Sequence, residues 1–89
     1  MSSLRNVYRF DTQILEKYYR QHYEKFLNDP VPALSNKTPL QAAKDKRMKS
    51  ALIELMKGHV NFVENFNRKE GTNIEMDWVL DRLGLKGKI

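Results

Sequence analysis

Between Asp11 and Leu27, apolar or aromatic side chains recur at positions 14, 15, 18, 19, 22, 23, 26 and 27. Neighbouring pairs repeated every four residues draw one continuous stripe along a helix, whereas a strand would alternate its faces. Asp11 or Thr12 can cap the first turn of this helix. Asn28-Asp29-Pro30 stops it, because the proline ring pushes Asp29 out of the helical region.

A longer stripe follows in the second half. From Lys46 to about Asn67, positions 48, 52, 55, 59, 62 and 66 alternate four and three apart, and Ala51, Met56, Val60 and Val63 widen the face. Gly58 lies inside this predicted helix, where it costs about 1 kcal/mol relative to Ala, so a kink or a close helix crossing is expected there. Between the two stripes, Val31 and Leu34 should pin an extended connector to the core. Thr38-Pro39-Leu40-Gln41 then combines a Thr N-cap, a Pro at the first helical position and a Gln that closes a capping box. Leu40, Ala42 and Ala43 give that helix an apolar side. It either stops where Asp45 caps a separate helix or runs straight on.

Lys69-Glu70-Gly71-Thr72-Asn73 reads as a loop. A last helix is predicted over Glu75 to Leu83, closed by Gly84 in a Schellman-type turn that folds Leu85 back onto it, with Lys86 to Ile89 as a frayed tail. No segment alternates with period two, and the sequence shows no internal repeat. The expected fold is all-α, a single bundle of about four helices over residues 1–89, with one long helix, a short final one, and flexible ends at 1–10 and 86–89. A chain of 89 residues is near the lower end of what supports a core without disulfides or metal.

Several function classes lose their chemistry at this point. The chain has no Cys, which removes disulfides, thiolate zinc sites and cysteine nucleophiles. His22 and His59 each sit in an apolar stripe, no HxxxH or ExxH pair accompanies them, and a structural role is expected for both. Ser2, Ser3, Ser35 and Ser50 lack nucleophile-elbow glycines, and no Gly-rich phosphate loop exists. No catalytic residue, metal or cofactor is therefore expected. The opening MSSLRNVYRFDTQ lacks a secretory core and no apolar run approaches the roughly 18 residues of a spanning helix, so a cytoplasmic protein without a membrane partner is the expectation.

The net charge of +5 is unevenly spread. Residues 1–36 hold five basic and four acidic groups, residues 37–57 six and two, and residues 58–85 three and five, while the tail adds Lys86 and Lys88. The excess thus lies around Lys44, Lys46, Arg47 and Lys49 and at the C-terminal tip. Such a burst is either a solvated helix face or a surface for phosphates or an acidic protein. Tyr18, Tyr19, Tyr23 and Phe26 are interleaved with Lys17, Arg20 and Lys25, a mixture able to stack bases while cations hold phosphates. Those aromatics fall on the stripe that should face the core, and core packing is their expected role. Tyr8 and Phe10 are freer candidates for contact.

The run PALSNKTPLQAAKDKRMKSALIELMKG, Pro32 to Gly58, resembles the helical toxin-binding domain of ParS/MbcA/Xre-type antitoxins, in which an apolar pair and a Gly-rich turn precede a Pro-Leu helix start and a Leu-rich helix. It is also similar to small helical modules of uncharacterised bacterial proteins with the pattern P.PAL.GKTP..AA and a closing W....LGL. Pro32, Ala33, Leu34, Lys37, Thr38, Pro39, Ala42 and Ala43 match that pattern, as do Trp78, Leu83, Gly84 and Leu85. Ser35 and Asn36 stand where the pattern has glycines. The resemblance implies a bacterial binding module without the helix-turn-helix DNA reader that usually accompanies the toxin-binding part. It directs attention to Lys37, Leu40, Gln41, Lys44 and Arg47 as a surface for a protein partner. The alternative from charge alone is nucleic-acid binding through Arg5, Arg9, Lys44, Lys46, Arg47 and Lys49, which predicts a steep loss of affinity with salt.

Overall fold

Thr12–Leu27 forms α1, Pro39–Ala43 α2, Lys49–Glu70 α3 and Asp77–Arg82 α4 in the computed structural model, which describes residues 12–89. Three-residue 3-10 turns stand at Pro32–Leu34 and Lys46–Met48, and there is no strand among the described residues. The all-α architecture with one long and one short final helix is the one expected. Asp11, Tyr8, Phe10, Arg5 and Arg9 lie outside the described residues.

The local signals act as their chemistry dictates. Thr38 Oγ1 accepts from the Gln41 backbone N–H at 3.0 Å while Gln41 Oε1 accepts from the Thr38 N–H at 2.9 Å, a complete capping box at the start of α2. The helix then stops after five residues, because Asp45 turns its carboxylate onto the Arg47 N–H (3.0 Å) and caps a new 3-10 turn that leads into α3. Of the two readings left open by the sequence, the interrupted one is correct. At the C-terminus, Gly84 takes φ +70°, its N–H donates to the Asp81 carbonyl, and the Leu85 N–H reaches back to the Leu80 carbonyl at 2.8 Å. These are the two bonds of a Schellman motif, and they carry Leu85 into full burial.

The connector is more ordered than an extended strap. Val31 and Lys37 face each other as an isolated bridge, the Val31 N–H donating to the Lys37 carbonyl at 3.0 Å. Between them Ser35 and Asn36 adopt φ values of 57° and 63°. Left-handed backbone is costly for L-residues and free for glycine, so both residues stand where glycine would be favoured.

The core gathers one or more residues from each α-helix and from the first 3-10 turn: Tyr23 and Leu27 of α1, Leu34 of the turn, Ala42 of α2, Leu52, Met56 and Val63 of α3, and Val79 and Leu80 of α4 with Leu83 and Leu85 behind them. Each fully buried leucine is worth about 1.5–3 kcal/mol relative to exposure. Ile74 and Met76, in the extended stretch after α3, are also buried. Ile74 is held by Asn67, whose Oδ1 accepts from the Ile74 N–H (2.9 Å) and the Thr72 hydroxyl (2.7 Å) while its Nδ2 donates to the Ile74 carbonyl (2.9 Å). Helix α1 runs antiparallel to α3, with Tyr19 beside Phe66 and Tyr23 beside His59. Its outer side is tied to the C-terminal region by Glu24 to Arg82 (3.3 Å) and by the Asn73 N–H donating to Glu16 (3.0 Å).

Candidate functional site

Two surfaces remain after the core is assigned. The first is the junction of α2 and α3, where most of the sequence-predicted partner residues lie. The Asp45 carboxylate organises it: Oδ1 takes the Arg47 backbone N–H and Nε (3.3 Å), Oδ2 takes Nη2 (3.3 Å), and Lys37 Nζ lies 3.8 Å away. The hydrogen bonds from Arg47, side chain then backbone, hold the Asp45 carboxyl below its usual range, and the same contact raises Arg47. One carboxylate therefore fixes Lys37 and Arg47, while among the described residues no carboxylate lies within ion-pair distance of Lys44, Lys46 or Lys49. Lys44 and Lys46 are exposed and Lys49 is half-buried.

The other two predicted contacts are partly committed to the fold. Leu40 is half-buried against the core, and Gln41 is exposed but spends its carbonyl oxygen on the capping box. The junction thus presents a stiffly framed group of cations with an apolar edge at Leu40. Among the described residues no exposed large aromatic accompanies it; their exposed large hydrophobics are Ile14, Tyr18, Phe62 and Ile89.

The second surface is a groove of about 480 Å³ between α1 and α3, and sequence reasoning missed it. Its floor is Tyr19, Tyr23 and His59, its walls Tyr18 and His22 on one side and Leu55, Gly58 and Phe62 on the other. The expectation of core packing holds for Tyr23, which is buried, and for Tyr19 and Phe26, which pack partly buried against the core. It fails for Tyr18, which is 59% exposed, and for Phe62 in the α3 stripe, which is 56% exposed. Both stripes are wider than the helix–helix contact, so each leaves one flank outside it.

His59 and Tyr23 close the floor of this groove, with the Tyr23 hydroxyl 2.9 Å from His59 Nδ1. Burial pushes the Tyr23 phenol up to about 12, helped by Tyr19, and burial followed by the nearby His22 lowers His59. Both groups are neutral near pH 7, and the tautomer with its proton on Nε2 lets the phenol donate to Nδ1. The pair is a structural bond in the groove floor, as expected for His59. His22 instead is exposed, its ring stacked near Tyr18 (centroids 6.4 Å apart) and edge-on to Tyr23 (5.0 Å).

Gly58 also departs from expectation. Helix α3 passes through it unbroken, and a Cβ built there would meet nothing within 4 Å among the described residues, so no described element crosses closely at this point. A further recess of about 300 Å³ lies near Trp78, with the Arg20 guanidinium 4.7 Å over the indole ring.

Among the described residues no three metal-ligating side chains gather in one place, and no helix is long and apolar enough to cross a membrane. No protein-family model, curated protein or solved structure matches the chain.

Proposed function

We propose that this chain is a non-catalytic protein-binding module that engages an acidic protein partner through the α2–α3 junction. The observation that carries this reading is the group Lys44, Lys46 and Lys49, which has no carboxylate within ion-pair distance among the described residues and lies beside the Asp45-framed Lys37 and Arg47. Cations without internal partners and on a pre-ordered frame steer and orient an acidic surface at little ordering cost. Leu40 supplies an apolar edge next to them, and the resemblance over Pro32 to Gly58 supports the same surface. Among the described residues no exposed large aromatic stands beside the cluster to stack bases, which favours a protein over single-stranded nucleic acid.

The test is affinity capture of the tagged chain from its native extract, with and without nuclease, alongside a variant carrying Lys44→Glu and Lys46→Glu. A protein retained after nuclease by the wild type and lost by the variant, with unchanged circular dichroism, supports the reading. Retention by both removes the junction as the interface. Loss of every partner on nuclease treatment, with recovered RNA or DNA, replaces it by the nucleic-acid reading.

A further inference from the structure

We propose that the α1–α3 groove is the docking surface of the chain's own N-terminal segment, residues 1–11, which leads into α1 and lies outside the described residues. The groove opens where that segment is attached. Ile14, two residues past the start of α1, is 61% exposed and stands one turn from Tyr18, so exposed apolar side chains run from the helix start into the groove. From Tyr18 the rings continue across the helix pair: Tyr18 to Tyr19 (centroids 5.4 Å apart), Tyr19 to Phe66 (5.8 Å) and Phe66 to Phe62 (6.2 Å). Tyr19 and Phe66 are half-buried, whereas Tyr18 and Phe62 are exposed and stand as the two banks of a trough.

The segment has the length to fill it. Eleven extended residues span at most about 36–40 Å. A four-residue reversal ahead of Thr12 leaves about seven of them, or about 25 Å. Phe66 is beside Tyr19 and His59 beside Tyr23, so Phe62 is level with the stretch of α1 between them. Both banks therefore lie within about 17 Å of Thr12 along the helix, at about 1.5 Å per residue. The described C-terminal tail lines no part of the groove. A separate folded partner fits less well. A patch of these few side chains is within the roughly 300–600 Å² that a monomer commonly leaves in water, below the roughly 800 Å² that a standard interface takes from each partner. A tethered segment needs no such area, since its attachment supplies an effective concentration of about millimolar.

The chemistry of the two surfaces also matches. The groove is lined by Tyr, His, Leu, Gly and Phe, with no carboxylate, ammonium or guanidinium among them. Residues 2–10 carry Leu4, Val7, Tyr8 and Phe10, two arginines and no acidic group. Asn6 and Val7 break the strict alternation of a strand, yet Leu4, Tyr8 and Phe10 hold even positions and Arg5 and Arg9 odd ones. An extended chain therefore turns the three large apolar side chains to one side and both guanidiniums to the other. Docked in this way, Leu4 and Tyr8 enter the trough between Tyr18 and Phe62, where the Tyr8 ring gains aromatic contacts, and Arg5 and Arg9 keep their charges in water.

Paramagnetic relaxation in the full chain tests the proposal. A nitroxide attached through Ser3→Cys, in a sequence with no other cysteine, is expected to broaden the amide signals of α1 from Ile14 to Tyr23 and of α3 from His59 to Phe66, and to spare the α2–α3 junction. A tether alone would broaden signals near Thr12, so the deciding comparison is Tyr18→Glu with Phe62→Glu in the same labelled chain. Both side chains are already exposed, so helicity by circular dichroism should be retained while the broadening of α3 is lost. Tyr8→Glu, on the segment itself, should lose it too. Broadening of α3 that survives these substitutions, or labelled wild type that spares the groove, overturns the proposal. So does broadening of a nitrogen-15 chain without nitroxide by a second chain that carries one, because the occupant would then be another copy.

Discussion

Gly58→Ala isolates the cost of a glycine that the folded monomer does not need. Gly58 is within α3, outside the left-handed region occupied by Gly71, Gly84 and Gly87, and an added methyl meets nothing within 4 Å. No steric term therefore opposes the gain in helix propensity and the loss of unfolded-state freedom, which together amount to about 0.5–1 kcal/mol. For a chain of this size, 1 kcal/mol moves Tm by about 4–8 °C, so a rise of about 3–6 °C is expected. The assay is a circular dichroism melt at a few micromolar, with urea unfolding to show a higher midpoint at unchanged m. A lower Tm at this concentration would refute the reasoning, because it would mean that a contact within the monomer approaches the Gly58 backbone. A changed m would indicate an altered native or denatured state instead of a simple propensity gain.

Two further expectations follow from backbone geometry and from ionisation. Ser35 holds φ 57° without being glycine, so Ser35→Gly should raise stability by up to about 1 kcal/mol, partly offset by the greater freedom of glycine in the unfolded chain, and a fall in the urea midpoint would show that the serine side chain contributes there. His59 has its pKa lowered from 6.5 by burial and by His22. Above pH 6.5 both folded and unfolded forms are neutral at this site and it adds no pH dependence. Below it the unfolded chain takes up a proton that the native state resists, so stability should decline as pH falls toward the folded value. Urea midpoints at pH 7.5 and 5.5 should differ by more in the wild type than in His59→Gln, and equal differences would place the decline elsewhere.

What was legible in the sequence is what local chemistry decides. The Thr38–Gln41 box, the Asp45 cap and the Gly84 turn each involve residues within five positions of one another, and a short range leaves few competing geometries. The groove was not legible, because the width of a stripe does not say which flank a neighbour will cover; Tyr18 and Tyr23 satisfy the same periodicity and end at 59% and 3% exposure. Ile74 and Met76 are single apolar residues in a polar stretch without periodicity, and only the carboxamide of Asn67, seven residues earlier, brings the first of them in. In the basic cluster, counting charges located the excess but not the pairing of Lys37 with Asp45 across the whole of α2.

The way α1 is attached has a kinetic consequence. The segment from Val31 to Arg47 closes through bonds spanning two to eight residues, so its ordering requires little loop closure. The side-chain bonds that tie helix α1 to α3 and to the C-terminal region span 36 residues at Tyr23–His59, 57 at Glu16–Asn73 and 58 at Glu24–Arg82. Its buried anchors, Tyr23 and Leu27, sit in its C-terminal half. Contacts of such long span form late and open early, beginning at the end without anchors. One wall of the groove is thus the part of the chain that docks last, and amide exchange that reports on α1 would also report on how often the groove exists.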